Sequence, residues 1–285
     1  MQILEKSALY VVATPIGNLE DLSPRAVQVL KNVDVILAED TRHSKPLLSH
    51  FGIHTPMQAY HEHNENAKSL EVVAALKQNQ SYALISDAGT PVFSDPGARV
   101  VAQALAAEVP VIPIPGSCAA IAALSASGLA GLPFHFFGFL PAKNTQKHKA
   151  LEEIKNHSAG TLCFYESPHR LRDTLNAFAE IWGETHEIVL AKELTKLYEA
   201  VRKGSIYSII AWLGEDAKRE QGEFVLLVEN QVPKQDETML HFSLDSLLLS
   251  YLKRIKLKDA VGAVVELTGL PKNLVYERAL QLKTE

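Results

Sequence analysis

The chain has 285 residues, 47% of them apolar and 21% charged, which is the makeup of an ordinary globular protein with enough length for two domains. Its formal net charge of −5 excludes a generally polyanion-coating protein, although a local basic surface can still bind nucleic acid. Two cysteines exclude a disulfide framework, no basic leader precedes an apolar run at the start, and charges or prolines interrupt every apolar stretch before it could span a bilayer; a cytoplasmic location is expected.

The first part of the chain alternates short apolar runs with helical patterns, as a parallel α/β sheet requires. Leu9 to Ala13 reads as a buried strand ending in Thr14-Pro15-Ile16-Gly17-Asn18, and Ser23-Pro24 opens a helix with Ser as cap and Pro in the first turn. Asp34 to Ala38 is a second strand, ending in Glu39-Asp40-Thr41-Arg42. A helix over about Asn66 to Gln78 leads to the strand Tyr82 to Ser86 and then to the irregular loop Asp87–Gly97. A helix near Ala98 to Ala107, a strand over Val109 to Ile114 and a small-residue helix from Cys118 to Ser127 follow. Pro133 to Ala142, with Phe134, Phe136, Phe137 and Phe139, reads as a junction between domains. Beyond it come strands at Thr161–Tyr165, Glu187–Ala191 and Phe224–Glu229, with helices near Pro168–Trp182 and Ile206–Leu213. Asn230 to Glu237 reads as a linker, and three short helical patterns follow from Leu244. The expected domains are therefore 1–132, 133–230 and a C-terminal helical segment within 231–285; the last is small enough that it should pack on the main body.

Ligands of a parallel sheet bind beyond the carboxyl ends of its strands. Thr14–Asn18, Glu39–Arg42, Asp87–Gly97 and Pro115–Ser117 all fall there, and together they predict a ligand cleft, although any one alone is explained by turn-forming and helix-capping residues. A P-loop and a G-x-G-x-x-G turn are both missing. Asp87 and Asp95 suit a ribose, a cationic ligand or a metal. His61-Glu62-His63 lacks the H-E-x-x-H spacing, and no metal is expected. Basic clusters occur at Lys143, Lys147, His148 and Lys149, at Arg170 and Arg172, at Arg202 and Lys203, and at Lys253, Arg254, Lys256 and Lys258. Each taken singly reads as a solvated face.

Ala13–Asp21, Ala38–His43, Ser86–Pro91, Ser94–Gly97 and Pro115–Ala119 resemble the tetrapyrrole-methylase superfamily. Phe137–Pro141, Tyr165–Arg170, Lys192–Lys196 and Gly222–Val225 agree with its bacterial branch of small-subunit (16S) ribosomal RNA cytidine 2′-O-methyltransferases. The resemblance spans roughly residues 8 to 230. It implies two α/β domains with S-adenosylmethionine in the cleft between them, and a homodimer. It carries cofactor contacts onto Ile16, Asp95, Ala98, Ser117 and Cys118, with Asp87 and Thr90 in the same loop and Tyr165 and Leu194 from the second domain. Porphyrin and corrin methylases have a Gly-rich first loop, whereas Pro15 and Ile16 interrupt it here, which favours the RNA branch over a small-molecule tetrapyrrole methylase.

A ribose hydroxyl needs a nearby base before it attacks a methyl group. Glu39, Asp40, Glu166, His169, Lys192 and Glu193 all stand at motif positions, with Glu39, Glu193 and Lys192 the leading candidates; structural ion pairs of Glu39 with Arg42 and of Glu193 with Lys196 are the competing reading. Arg42, His169, Arg170 and Lys147 are the candidate RNA contacts. The resemblance implies small-subunit ribosomal RNA as substrate, as free RNA or as the assembled subunit. From His241 onward seven Lys or Arg face five Asp or Glu, a small surplus for a segment that assists RNA capture. A cofactor-binding RNA module without catalysis and a metal-dependent hydrolase are weaker alternatives.

Overall fold

The structure, a computed structural model, describes residues 5–232 and 237–284. In chain order its elements are β1 (Leu9–Val12), α1 (Pro24–Asn32), β2 (Val35–Ala38), α2 (Thr41–His50), β3 (Met57–Ala59), α3 (Glu65–Lys77), β4 (Tyr82–Ile85), α4 (Ala98–Ala106), β5 (Val111–Ile114) and α5 (Ala119–Ala126). Next come β6 (Phe134–Phe139), α6 (Asn144–His157), β7 (Gly160–Glu166), α7 (Leu171–Trp182), β8 (Glu187–Lys192), β9 (Ala200–Ser205), α8 (Ile206–Gly214) and β10 (Phe224–Asn230). The chain ends in α9 (Glu237–Leu252), α10 (Leu257–Thr268) and α11 (Lys272–Thr284). Two compact units result, Met1–Gln231 and Val232–Glu285.

β1 to β5 form one parallel sheet in the order β3-β2-β4-β1-β5. Helices cover both faces, so the strands are apolar on both sides. Tyr10, Val12, Ile36, Ala83 and Ile85 pack on one face against Val29 and Leu30 of α1 and Leu48 of α2. Leu9, Leu37, Tyr82 and Leu84 pack on the other against Val72 and Leu76 of α3 and Val100 of α4. Ser23 caps α1 as expected: its hydroxyl accepts from Ala26 N at 3.1 Å, a bond of about 1 kcal/mol.

The second sheet runs β6-β7-β10-β8-β9, with β6 parallel to β7 and the remaining pairs antiparallel. Phe164, Leu190 and Leu226 face α7 and α8, whereas Cys163, Val189, Val225 and Leu227 face α5. The small residues of α5, Ala120 and Ala123 above all, are what bring that helix onto the second sheet.

Several elements differ from the sequence reading. The phenylalanine-rich stretch expected as a junction is the strand β6, and α2, β3, α6 and β9 were not anticipated. The stretch read as a linker begins inside β10, and its residues 233–236 lie outside the described residues. The C-terminal unit has the three expected helices and a core of its own, in which Leu244 and Leu248 meet Val261, Val264, Val275 and Ala279. Among the described residues no helix is long and apolar enough to cross a membrane.

Candidate active site

Every carboxyl end of the first sheet points to one edge, so the loops after β1, β2, β4 and β5 converge there. Two reciprocal backbone bonds lock the first of them to the third: Thr14 N donates to Gly89 O at 2.8 Å, and Gly89 N to Thr14 O at 3.0 Å. Thr90 Oγ1 then donates to Ser117 O at 3.0 Å, joining the loop after β4 to the loop after β5. Asp87 Oδ1 accepts from Asp40 N at 3.2 Å, which brings in the loop after β2. These bonds frame a cavity of about 520 Å³, well within the range of small-molecule sites.

The cavity has two kinds of wall. Glu39, Asp87 and Asp95 supply carboxylates from the first sheet's loops. Burial pushes the Glu39 carboxyl above its usual range, and the negative charges of Asp95 and Asp87 push it further. Burial also raises Asp95, against a hydrogen bond from Ser86 and with help from Asp87. Glu39 and Asp95, in one partly dry pocket, therefore resist ionisation until a positive group faces them. The other wall is apolar and aromatic: Ile16, Phe93, Cys118, Phe139, Tyr165, Leu194 and Phe224. Phe93 stacks on Phe136 at 4.0 Å between centroids, and Phe136 meets Tyr165 edge-on at 4.9 Å, so an unbroken run of rings crosses from the first sheet's loop to the second sheet. The Tyr165 hydroxyl accepts from Ala120 N at 3.2 Å, and burial raises its pKa so that it stays protonated.

Backbone strain is concentrated around this cavity. Val92 and Ser94 hold φ of 74° and 72° in the loop after β4, and Glu193 and Thr195 hold 50° and 68° after β8. A β-branched residue at positive φ is a true outlier, and each such position costs on the order of 1–3 kcal/mol that the surroundings must offset. Gly97 (φ 134°) starts α4 where a Cβ would stand 2.6 Å from Leu84 Cδ2, which holds the loop tight against β4.

The structure gathers Ile16, Asp87, Thr90, Asp95, Cys118, Tyr165, Leu194 and Glu39 on the cavity. Among the described residues, Ala98, Ser117, Lys192 and Glu193 are not part of its lining. Glu193 is engaged elsewhere: Lys196 Nζ lies 2.8 Å from its Oε1, and Glu223 N donates to the same oxygen at 2.9 Å. Burial pushes that carboxyl up, but the Lys196 ammonium and the Glu223 amide outweigh it and hold the group below its usual range. Lys192 is buried with its ammonium 6.0 Å from the centroid of Phe224. Glu39 is not the partner of Arg42; the guanidinium forks onto Asp40, with Nε to Oδ1 at 3.1 Å and Nη2 to Oδ2 at 2.7 Å.

Of the expected RNA contacts, Arg42 and His169 are exposed. Arg170 is largely engaged, its Nη2 donating to Leu140 O and to Pro141 O and its Nε facing Glu166 Oε1 at 3.6 Å. Lys147 is a correction. Only 1% of it is exposed, and Nζ donates to Thr174 Oγ1 at 3.1 Å. Thr174 in turn donates to Glu166 Oε2 at 2.6 Å, while Ser167 N donates to Glu166 Oε1 at 2.8 Å. A lysine buried in that chain is out of reach of an RNA phosphate; it fixes the loop Glu166–Pro168, which lines the cavity. His61 and His63 meet edge-on at 5.8 Å, and among the described residues no three His, Cys, Asp or Glu form a metal-holding group. Sequence reasoning assigned no role to several lining residues, Phe93, Phe139, Glu223 and Phe224 among them. Of these four, all but Phe93 lie in motifs noted for their resemblance.

Comparison with known proteins follows this geometry. Residues 8–210 match the family described as Tetrapyrrole (Corrin/Porphyrin) Methylases, and residues 243–283 match the RsmI C-terminal HTH domain. The chain is 45% identical over 279 residues to "Ribosomal RNA small subunit methyltransferase I" of Pseudomonas aeruginosa, covering 98% of both chains. It is 46% identical to the protein of that name from Haemophilus influenzae, covering 95% of this chain and 96% of the other. It is 42% identical to the one from Synechocystis, covering 97% and 99%. Among solved structures, the uroporphyrin-III-C-methyltransferase of Thermus thermophilus aligns with a TM-score of 0.56 at 21% identity, over 79% of this chain and 96% of that one. Diphthine synthase aligns with a TM-score of 0.60 at 14% identity, over 78% and 90%. At such identities the likeness is one of fold.

Proposed function

Since the chain belongs to the tetrapyrrole methylase family, and within it to the group of ribosomal RNA small subunit methyltransferase I, we propose that it transfers a methyl group from S-adenosylmethionine to the ribose 2′-hydroxyl of a cytidine in small-subunit ribosomal RNA. The observation that carries this reading is the cavity at the carboxyl edge of the parallel sheet, lined by both carboxylates and aromatic rings. When bound, S-adenosylmethionine supplies a methyl carbon on a cationic sulfur. The donor set fits such a group: Glu39 and Asp95 are acids whose ionised forms need a positive neighbour, Asp87 lines the same cavity, and Ile16, Cys118 and Leu194 offer an apolar bed. Thr90 keeps the loops in register through its bond to Ser117 O.

Within that frame the chain's residues divide the work. The apolar wall excludes water and holds the reacting groups in line, an effect on the order of 7–11 kcal/mol in favourable model systems. Glu39 is the base: its carboxylate lies in the cavity, and its raised pKa makes it a better acceptor for the 2′-hydroxyl proton. Lys192 and Glu193 position the end of β8 rather than touching the acceptor. Arg42 and His169, both exposed, hold RNA phosphates. The protein acts in the cytoplasm as a homodimer on the assembled subunit, with the C-terminal helices assisting capture of RNA.

The test is to incubate unmodified small subunits with the purified protein and methyl-labelled S-adenosylmethionine, then identify labelled nucleosides by mass spectrometry. Label on the ribose of a cytidine is the expected result. Absence of label while the cofactor still binds by calorimetry moves the reading to a small-molecule methylase. Light scattering of the same preparation reports the dimer.

A further inference from the structure

Strand β6 contains a break in register that decides where one ring points. Phe136 pairs with Cys163, but the next pairing is Gly138 with Phe164, so Phe137 is an extra residue opposite the partner strand. Side chains alternate along a regular strand, and a bulge of this kind inverts the alternation beyond it. Phe137 accordingly stacks on Phe164 at 5.3 Å, on the face covered by α7. Phe139, which regular alternation would place on that same face, instead joins Phe136 beside Tyr165, at 5.8 Å and edge-on. Gly138 makes the bulge possible: its φ is 63°, and a Cβ there would stand 3.1 Å from Ser94 Oγ in the loop after β4. The outcome is a phenyl ring that lines the cavity yet remains 55% exposed.

Scattered exposed apolar residues are ordinary. This one is delivered to the cavity mouth by an irregularity in the strand, and its neighbours say what it can meet there. Among the described residues, the cavity lining offers phosphate the acids Glu39, Asp87 and Asp95 and no Lys or Arg, so the part of a nucleic acid that enters over this rim must be neutral. A nucleobase is neutral and planar, and a solvent-facing ring beside a second aromatic is the kind of platform on which single-stranded bases stack. We propose that Phe139 is the stacking platform for the base of the acceptor nucleotide, and so the residue that presents that nucleotide to the cavity. This rests on the RNA reading given above. Stacking without edge-on hydrogen bonding tolerates any base, so Phe139 sets whether a nucleotide is presented and leaves its identity to other groups.

The experiment measures methyl transfer to unmodified small subunits by the full-length protein and by F139A, F139L, F139Y and F139W, with the affinity for S-adenosylmethionine measured by calorimetry on each. Loss of base stacking predicts a fall in kcat/KM for subunits of roughly 5- to 150-fold in F139A. F139L, which keeps apolar bulk but not the flat face, falls with it, while F139Y and F139W retain activity, and cofactor affinity changes less than twofold throughout. Unchanged kcat/KM in F139A, or F139L matching the wild type, overturns the proposal. So does a loss of cofactor affinity equal to the loss of activity, which would assign the ring to the cofactor. A wild-type protein that binds cofactor but methylates no RNA overturns the reading of the reaction and this inference with it; an active wild type with an indifferent F139A overturns this inference alone.

Discussion

Glu39 and Asp95 share a condition that sets their behaviour with pH. Each is driven up first by burial and then by neighbouring acids, so the folded, ligand-free protein holds these protons more tightly than the unfolded chain does. Their contribution to stability is therefore fullest below the ordinary carboxylate range and is lost as pH rises through the raised folded values. A cation in the cavity favours the ionised forms, so its binding must release protons and tighten as pH climbs through the same window. Calorimetry of S-adenosylmethionine at mildly acidic and neutral pH should show this tightening, and D95N should flatten it; affinity that ignores pH would sink the carboxylate account. For Glu39 the expectation is kinetic. E39Q should lower kcat on small subunits by about 10²–10⁴-fold and remove the acid limb of the pH–rate profile. A surviving limb would give the base's role to another group. The residue scale also marks where sequence reading stops. Glu39 was legible because it closes a strand in a loop that must face the cleft, whereas Lys147 sits in a run of polar neighbours that gives no sign it points inward.

At the scale of elements, that inward lysine makes α6 more than a surface helix. Leu151 and Lys147 are its buried residues, and through Thr174 the ammonium reaches Glu166 at the end of β7. Burial lowers the Lys147 pKa while Glu166 opposes that shift, as expected of a charge kept inside by its partner. K147M keeps the stem and removes the charge, leaving the wholly buried Glu166 side chain to Thr174, Ser167 N and Arg170; a loss of about 1–3 kcal/mol in urea unfolding is expected. Unchanged stability with a raised KM for subunits would restore Lys147 as an RNA contact. Helix α1 and strands β2, β4 and β5 were legible because their caps, apolar runs and punctuating loops agree. The unforeseen elements lacked such agreement: α2 carries Pro46 inside it, β3 is three residues at a sheet edge, and the β9 sequence AVRKGS is polar because that strand is also an edge. Strand β6 was misread because its rings serve both faces, which hides the two-residue period behind the bulge at Gly138.

For the whole molecule, the division after Gln231 predicts separable behaviour. A chain ending there keeps both sheets and every residue that lines the cavity, so its cofactor affinity should match that of the full chain within about twofold, the measurement being calorimetry. If the C-terminal helices capture RNA through Lys253, Arg254, Lys256 and Lys258, the shortened chain should show a higher KM for subunits and a shallower dependence of that KM on salt. Identical salt slopes would deny them that role. The strand order has a consequence of a different kind, in time rather than in space. β1 is synthesised before the other strands of its sheet, yet it lies between β4 and β5, and Leu9 pairs with Tyr82 on one side and Val111 on the other. At about 5–20 residues per second, roughly 4–15 s of synthesis separate the apolar strand from the first of its partners, and longer from the second. No hairpin can nucleate this sheet; its centre closes only after both flanks have been made, and a nascent chain halted before Tyr82 would present Leu9–Val12 with neither neighbour to cover it.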